Sequence, residues 1–252
     1  MTIENIIAEA KASIETNGFL DLPYRMKIWK ACGEMCYTLA ERQSDTSFKR
    51  VTLPIKKRVR LGELCVKKIM PLWQPKTDYI CQLRTSACNV LTLISAYLYT
   101  DTSEEELGAH FNKYEKMCEE AEYYAPLPRA ENHIEDFGDA VPFFHAIQVL
   151  AVRVFDDEYW IYDEMERKED GELEPDEEFL TDSEAGIDEE LHHGYHDAEY
   201  IASLAYAMDN EGYYGQDKDK LKEFWLWYIN EAVPSVLCAD TIEEATKQEE
   251  TK

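Results

Sequence analysis

This 252-residue chain contains three closely spaced histidines, His192, His193 and His196, whose side chains are of a type that binds metal ions. His192 and His196 are four residues apart, so they would share one face of a helix, and imidazole nitrogen is a common zinc ligand. Gly194 between them weakens a helix, and the glutamate of an H-E-x-x-H metalloprotease pattern is missing. The pattern therefore favours a polar helix start, and we predict no metal and no other cofactor.

Clustered carboxylates offer a second route to metal chemistry. Some all-α nucleotide pyrophosphatases hold Mg²⁺ with acidic residues on facing helices, and the metal bridges the substrate phosphates. Two clusters here have suitable helical spacing, namely Glu115, Glu119, Glu120 and Glu122, and Asp163, Glu164 and Glu166. In a chain with 52 acidic residues such spacings also arise by chance. A metal-dependent hydrolase acting on nucleotides is kept as the alternative function.

Other catalytic arrangements are missing from the sequence. It contains no Gly-rich phosphate loop, no nucleophile elbow and no zinc-ribbon spacing. His145 and Arg84 lie within apolar helical segments, where a titratable side chain could be catalytic. No serine or cysteine is spaced to form a dyad with His145, and hydrogen bonding between helices explains both residues more simply. We therefore predict that the protein is not an enzyme.

The negative charge is concentrated in one part of the chain. The formal net charge is -26, from 52 acidic and 26 basic residues. Residues 1–100 have a balance of +6, whereas the 35 residues 156–190 alone have a balance of -16. Carboxylates repel the phosphates of nucleic acids and of anionic membranes, which disfavours direct binding to either. An asymmetry of this size indicates a basic partner, or alternatively a solubilising acidic loop.

Aromatic residues are interleaved with the acids of this segment. Aromatic anchors surrounded by charge are typical of a surface that binds a basic protein. The candidate partner-binding residues are Trp160, Tyr162, Asp163, Glu164, Glu166, Asp176, Glu177 and Glu178. In the alternative interpretation, Tyr159, Trp160 and Tyr162 end a core helix and face inward.

Hydrophobic residues recur at helical spacing along most of the chain, which predicts an all-α fold of about eight helices. Gly18 is placed to end the first helix, and Pro23 and Pro54 are placed to open later ones. Residues 80–98 and 141–155 are apolar nearly all round, which is typical of central helices. We expect one compact domain over residues 1–252, with an acidic loop at 163–191 and a frayed tail at 240–252.

Three local expectations follow from the remaining pattern. Gly212 and Gly215 predict a turn, and an aromatic helix over 221–232 is expected to end before Pro234. The helix that Pro54 opens is expected to run to about residue 70. Its basic residues predict a charged outer face formed by Lys56, Lys57, Arg58, Arg60, Lys67 and Lys68.

The seven cysteines indicate a reducing compartment. Their number is odd and no C-x-x-C pair occurs, so reduced thiols are expected rather than a disulfide framework. The N-terminus lacks a basic region followed by an apolar core, and the apolar segments are interrupted well before they could span a membrane. We therefore expect a cytoplasmic protein.

Two regions resemble an all-helical immunity-protein family of bacterial polymorphic toxin systems. The first is Leu61-Gly-Glu-Leu-Cys-Val-Lys-Lys-Ile-Met-Pro-Leu-Trp73, followed by a helix and then Ser103-Glu-Glu-Glu-Leu107. The second is Glu223-Phe-Trp-Leu-Trp-Tyr-Ile-Asn-Glu-Ala-Val-Pro234, which is similar to the family's closing aromatic helix. The resemblance covers about residues 55–236.

This resemblance implies a protein that binds a cognate toxin and blocks it inside the producing cell. A toxin that acts on nucleic acid needs a basic surface, which an acidic inhibitor can occupy in place of phosphate. A nuclease toxin is therefore the expected partner. A general DNA mimic that inhibits many DNA-binding proteins is a third possibility, and it would differ from an immunity protein by its promiscuity.

Overall fold

The structure is a computed structural model in which nine α-helices are described. The described residues are 2–35, 38, 40, 52–99, 108–109, 112, 116, 137–155, 159–172, 174, 197–209 and 212–239, a few of them by backbone only. The helices are α1 Ile3–Asn17, α2 Leu22–Ala31, α3 Leu53–Ile69, α4 Asp78–Tyr99, α5 Phe137–Phe155, α6 Tyr159–Glu169, α7 Ala198–Ala207, α8 Lys218–Trp227 and α9 Val233–Leu237.

Short irregular elements complete the described part of the chain. A 3-10 turn, Met70–Leu72, follows α3, and a π turn, Tyr228–Ala232, joins α8 to α9 without a break. Counting α8 to α9 as one segment leaves eight helical segments. The predicted all-α class is confirmed.

Glycine and proline set the helix boundaries as expected. Gly18 has a left-handed φ of 83°, and its N–H donates to the Ile14 carbonyl at 2.9 Å, which ends α1. Pro23 and Pro54 lie in the first turns of α2 and α3, where a missing N–H costs nothing. These three predicted boundaries are confirmed.

The prediction of a turn at Gly212 and Gly215 was wrong, because this segment is a β-strand. Strand β2 (Gly212–Gln216) pairs antiparallel with β1 (Met208–Asp209), and the register places Met208 opposite Gln216. Two glycines in five residues hide the side-chain alternation that identifies a strand. The backbone N–H of Asp217 also donates to the Ala207 carbonyl at 2.8 Å, so the hairpin closes where α7 ends.

Pro234 does not end the aromatic helix, contrary to the prediction. Proline has no N–H and its ring clashes with the carbonyl four residues earlier, which normally breaks a helix. Here the π turn widens the helix just before the proline, and the Val233 N–H donates to the Tyr228 carbonyl five residues back. The Asn230 side chain also donates to the Leu226 carbonyl at 2.7 Å. These bonds carry the chain past Pro234 into α9.

The prediction that basic residues form a charged outer face of α3 was wrong for its two arginines. Arg58 and Arg60 are fully buried, whereas Lys56 and Lys57 are partly exposed. Arg58 Nη1 donates to the carbonyl oxygen of Trp29 at 3.4 Å. A guanidinium can be buried when hydrogen-bond acceptors surround it, so a basic residue does not by itself mark a solvated face.

Contacts divide the chain into two compact units. The first comprises Met1–Leu61, Val152–Tyr195 and Trp225–Lys252, and the second comprises Gly62–Ala151 and His196–Phe224. In the first unit, α1 packs against α2, and the fully buried Trp225 meets Tyr228 edge to face at 5.6 Å. In the second unit, the ring of Trp73 stacks on Phe143 at 5.6 Å. The single domain over 1–252 stays a prediction.

Residues 80–98 were expected to form a central helix, and one side of α4 is buried as that expectation requires. Leu83, Val90 and Ile94 are buried, as a core helix requires. The opposite side of α4 is exposed, as at Thr85 and Asn89. The expectation of a helix that is apolar nearly all round was therefore wrong, because polar residues such as Thr85 and Asn89 mark a side that contacts solvent.

Tyr206 joins α7 to α8 within the second unit. Its hydroxyl donates to Glu223 Oε1 at 2.7 Å, and the ammonium of Lys68 lies 5.3 Å from its ring centroid. Burial raises the pKa of Tyr206 to about 12, and the hydrogen bond to Glu223 and its negative charge act in the same direction. The folded protein therefore holds this proton more tightly than the unfolded chain.

We expect the Tyr206 contact to lose its stabilising effect between pH 10 and about pH 12. In that interval the unfolded chain releases the phenolic proton and the folded protein retains it, so the free energy of unfolding falls as pH rises. Urea unfolding of wild type and Tyr206→Phe on both sides of the interval measures this. The gap in unfolding free energy between the two proteins should narrow as pH rises. A difference in unfolding free energy that stays constant with pH would contradict a stabilising contact of the Tyr206 hydroxyl.

Candidate functional site

Helix α6 carries the first part of the acidic segment and belongs to the first unit. Ile161 and Tyr162 are buried, and the Lys168 ammonium pairs with Glu164 at 3.2 Å one turn apart. Both features favour a helix. The part of the expected acidic loop from 163 to 169 is therefore helical, and most of the rest of that loop lies outside the described residues.

The end of α6 is a Schellman turn built around Gly171. Gly171 has a φ of 74°, and its N–H donates to the Lys168 carbonyl at 3.3 Å. The N–H of Glu172 donates to the Arg167 carbonyl at 2.8 Å, and the two side chains of that pair form an ion pair at 3.2 Å. This hydrogen-bond pattern ends the helix and orders the chain that follows it.

Five carboxylates surround this turn and form what we call the acidic end of α6. Its residues are Glu166, Glu169, Asp170, Glu172 and Glu174. Glu166 is partly exposed and the other four are exposed. The C-terminus of a helix carries partial negative charge, so carboxylates there are unfavourable and cations are favoured. Apart from Glu172, which pairs with Arg167, the acidic end is therefore not placed to stabilise α6.

The predicted site residues on α6 do not all face solvent. Tyr162 is 1% exposed and belongs to the core of the first unit. Glu164 is 5% exposed, and its carboxylate lies 3.3 Å from the Lys30 ammonium and 3.2 Å from that of Lys168. Because Lys30 is on α2, Glu164 ties α6 to α2. Glu166 is partly exposed.

The other predicted site residues fall outside what the structure describes. Trp160 and Asp163 are on α6, but their side chains are not among those described. Asp176, Glu177 and Glu178 lie wholly outside the described residues. The structure therefore places five of the eight predicted residues on α6, and the role of all eight stays a prediction.

Comparison with known families decides the class of protein. Residues 7–235 match the family described as Immunity protein Imm5. The chain belongs to the Imm5 immunity-protein family. It is thus an immunity protein whose partner is a toxin, and the resemblance noted over residues 55–236 is confirmed. No curated protein and no solved structure matches the chain.

In this Imm5 family member, the segment that carries the resemblance contributes to the core of the second unit. The carboxylate of Glu63 is fully buried, lies 2.7 Å from the Lys67 ammonium, and accepts a hydrogen bond from the Ser95 hydroxyl. Trp73, at the end of the same segment, stacks on Phe143. Glu63 and Trp73 therefore support the fold of the second unit.

Four residues of the acidic end of this Imm5 protein were not predicted from its sequence. Glu169, Asp170, Glu172 and Glu174 were not among the predicted contacts, although they are the exposed acids of the turn. A signal for them exists, because two basic residues followed by a glycine are typical of a helix C-terminus. Acids directly before and after that glycine lie on an exposed turn.

The described residues of this Imm5 protein contain no site for the metal chemistry that the sequence suggested. Within the described ranges, no group of three or more His, Cys, Asp or Glu side chains is placed to hold a metal. The histidines at 192–196 and the carboxylates at 115–122 lie outside those ranges. Arg84 Nη2 donates to the Met70 carbonyl at 3.4 Å, which is the structural role expected for it. Across the described helices, none combines the length and hydropathy that a membrane span requires.

Proposed function

We propose that this Imm5 protein captures its toxin through the acidic end of α6 and the acidic segment that follows it. The observation that carries the proposal is the position of the acidic end. Five carboxylates lie around a helix C-terminus, where the helix dipole disfavours them. Arg167 offsets this for Glu172, but Glu169, Asp170 and Glu174 are also exposed and add negative charge that can attract a basic partner. The wider segment, residues 156–190, carries a charge of -16, which adds to the electrostatic attraction for a basic partner.

The partner that fits this surface is a toxin with a basic face. We propose a nuclease of a polymorphic toxin system, because an enzyme that binds a polyanionic substrate needs such a face. The immunity protein would cover that face without catalysis, in the cytoplasm of the producing cell. Opposite electrostatic fields raise association rates by about 10–10³-fold, which favours capture before the toxin acts.

The proposed residues divide into contacts and supports. Trp160, Asp163, Glu166 and residues 176–178 are proposed to contact the toxin, together with the acidic end. Tyr162 and Glu164 are proposed to support α6 without contacting the toxin. Tyr162 packs in the core, and Glu164 forms ion pairs with Lys30 and Lys168. Replacing either support would disturb the position of α6 rather than remove a contact.

Two triple charge reversals test the surface. The first replaces Glu166, Glu169 and Glu172 with lysine, and the second replaces Asp176, Glu177 and Glu178 with lysine. A matched control reverses Glu15, Glu34 and Glu231, which are exposed residues of the same unit. All three variants change the net charge equally. Lysine at a helix C-terminus is favourable, which offsets the loss of the solvent-accessible Arg167–Glu172 ion pair, so the first variant should remain folded.

We expect at least one of the two test variants to bind the toxin domain about 10–100-fold more weakly, or about 1.4–2.7 kcal/mol. The control should bind within a few-fold of wild type. Binding is measured by titration calorimetry with the cognate toxin domain, and it should weaken from about 0.1 M to about 1 M salt. Wild-type affinity in both test variants would refute the proposed surface. Comparable binding to unrelated nucleases would favour a general DNA mimic instead.

A further inference from the structure

The last turn of α2 is contacted by two buried arginines of the first unit. Arg58 on α3 donates from Nη1 to the Trp29 carbonyl at 3.4 Å, and the Arg153 guanidinium on α5 lies 4.7 Å from the centroid of the Trp29 ring. The C-terminus of a helix carries partial negative charge, so cations are favoured there. This turn of α2 is therefore held in place by two other helices.

Lys30, the next residue of this turn, reaches from α2 to α6. Its ammonium lies 3.3 Å from Glu164 Oε1, although the two residues are 134 positions apart in the sequence. The Lys168 ammonium lies 3.2 Å from the same oxygen. Lys168 therefore pairs with Glu164 within α6, whereas Lys30 connects α6 to a different helix. The side chain of Glu164 is only 7% exposed, so water is a poor replacement for a lost lysine at this carboxylate.

Backbone hydrogen bonds connect Glu164 to the acidic end of the same helix. The Asp170 N–H donates to the Glu166 carbonyl at 2.9 Å, and the Gly171 N–H donates to the Lys168 carbonyl at 3.3 Å. A helix rises about 1.5 Å per residue, so Asp170 lies about 9 Å along the axis from Glu164. A hydrogen-bonded segment this short moves as one piece, so the position of Glu164 sets the position of the acidic end.

We infer that Lys30 is a positioning residue for toxin capture, and this inference rests on the function proposed above. Lys30 acts through Glu164 and does not itself contact the toxin. Its ion pair holds α6 on α2 before the toxin arrives, so less conformational freedom is lost when the acidic end binds. A lysine that met the basic face of the toxin would be repelled by it. The charge of Lys30 and its positioning of α6 therefore have opposite effects on toxin binding.

Lys30→Met separates these two effects by the sign of the change in affinity. The variant loses one positive charge, so electrostatics alone predicts tighter binding to a basic toxin. Loss of positioning predicts weaker binding, and we expect the dissociation constant to rise about 3–10-fold. Lys30→Arg keeps a cation that can reach the same carboxylate, so its affinity should be within about twofold of wild type. Titration calorimetry with the cognate toxin domain measures the affinities.

Lys27→Met is the matched control. Lys27 is also on α2, and its ammonium pairs with Glu9 of α1 at 3.4 Å, so this variant loses the same charge and likewise an ion pair between helices. It should bind the toxin at least as tightly as wild type does. Lys30→Met should have little further effect in a Glu164→Gln background, because Lys30 acts through that carboxylate. Three results would overturn the inference, namely equal weakening in both lysine variants, additive losses with Glu164→Gln, and undiminished affinity in Lys30→Met.

Amide hydrogen exchange of the free protein, followed by NMR, gives a readout that needs no toxin. The hydrogen-bonded N–H groups of Asp170, Gly171 and Glu172 should exchange about 3–10-fold faster in Lys30→Met than in wild type or in Lys27→Met. Unchanged exchange would refute the inference. Faster exchange with wild-type toxin affinity would also refute it, provided that the charge reversals of the acidic end do weaken binding. If those reversals leave binding unchanged as well, the proposed surface is wrong and the inference fails with it.

Discussion

Trp29→Ala is expected to lower the free energy of unfolding by about 3–5 kcal/mol. The Trp29 side chain is 2% exposed, and the Arg153 guanidinium lies 4.7 Å from its ring centroid. The substitution opens a cavity in the first unit and removes the aromatic face beneath a buried cation. The second effect adds to the first, because Arg153 is only 6% exposed and water cannot easily take the place of the ring.

Urea unfolding monitored by circular dichroism measures this cost, with two variants for comparison. Trp29→Phe keeps an aromatic face for Arg153, so its cost should be much smaller. Trp227→Ala removes the same side chain from a partly exposed position of the same unit and should cost less than Trp29→Ala. Equal costs for Trp29→Ala and Trp227→Ala would show that the stack of Arg153 on Trp29 contributes nothing.

Gly33→Ala is expected to lower the free energy of unfolding by about 2–4 kcal/mol. Gly33 follows α2 with a φ of 140°, a conformation that side chains other than glycine rarely adopt. A Cβ atom there would lie 2.5 Å from Cγ of Pro54, which opens α3. The proline ring cannot turn away as a flexible side chain would, so the backbone has to move.

Gly18→Ala separates the clash from the backbone strain. Gly18 also has a positive φ, of 83°, but a Cβ atom there would meet nothing within 4 Å. Its replacement should therefore cost only about 1 kcal/mol. Thermal and urea unfolding of both variants give the comparison. If the two glycines cost the same, the close approach of Pro54 to Gly33 has no energetic weight.

Local chemistry made much of the fold predictable. Gly18, Pro23 and Pro54 act through their own backbone geometry, so their neighbours along the chain are enough to predict a helix end or start. The all-α class was also predictable, because the helical spacing of hydrophobic residues is a pattern within short stretches of the chain. The hairpin at 208–216 was missed because its two glycines leave little alternation to detect.

The candidate site was predictable in its charge but not in its geometry. The sequence located the acidic segment, yet it could not tell that Tyr162 packs inward while Glu169 and Glu172 face solvent. Glu164 shows the difficulty most clearly. Its part-buried ion pair with Lys30 joins residues 134 positions apart, and no local pattern reports such a partner.

Charge, helical class and membership of an immunity family were within reach of the sequence, because each depends on composition, short spacings or recognisable segments. Only the tertiary structure decided which charges meet solvent. Arg58 and Arg60 looked like surface residues and are buried, while the helix at 80–98 looked buried and exposes one face. The physical reason is that a charged group can be buried only where it finds partners, and for Arg58 one such partner is the Trp29 carbonyl, 29 residues away along the chain. That pairing is a property of the folded chain as a whole.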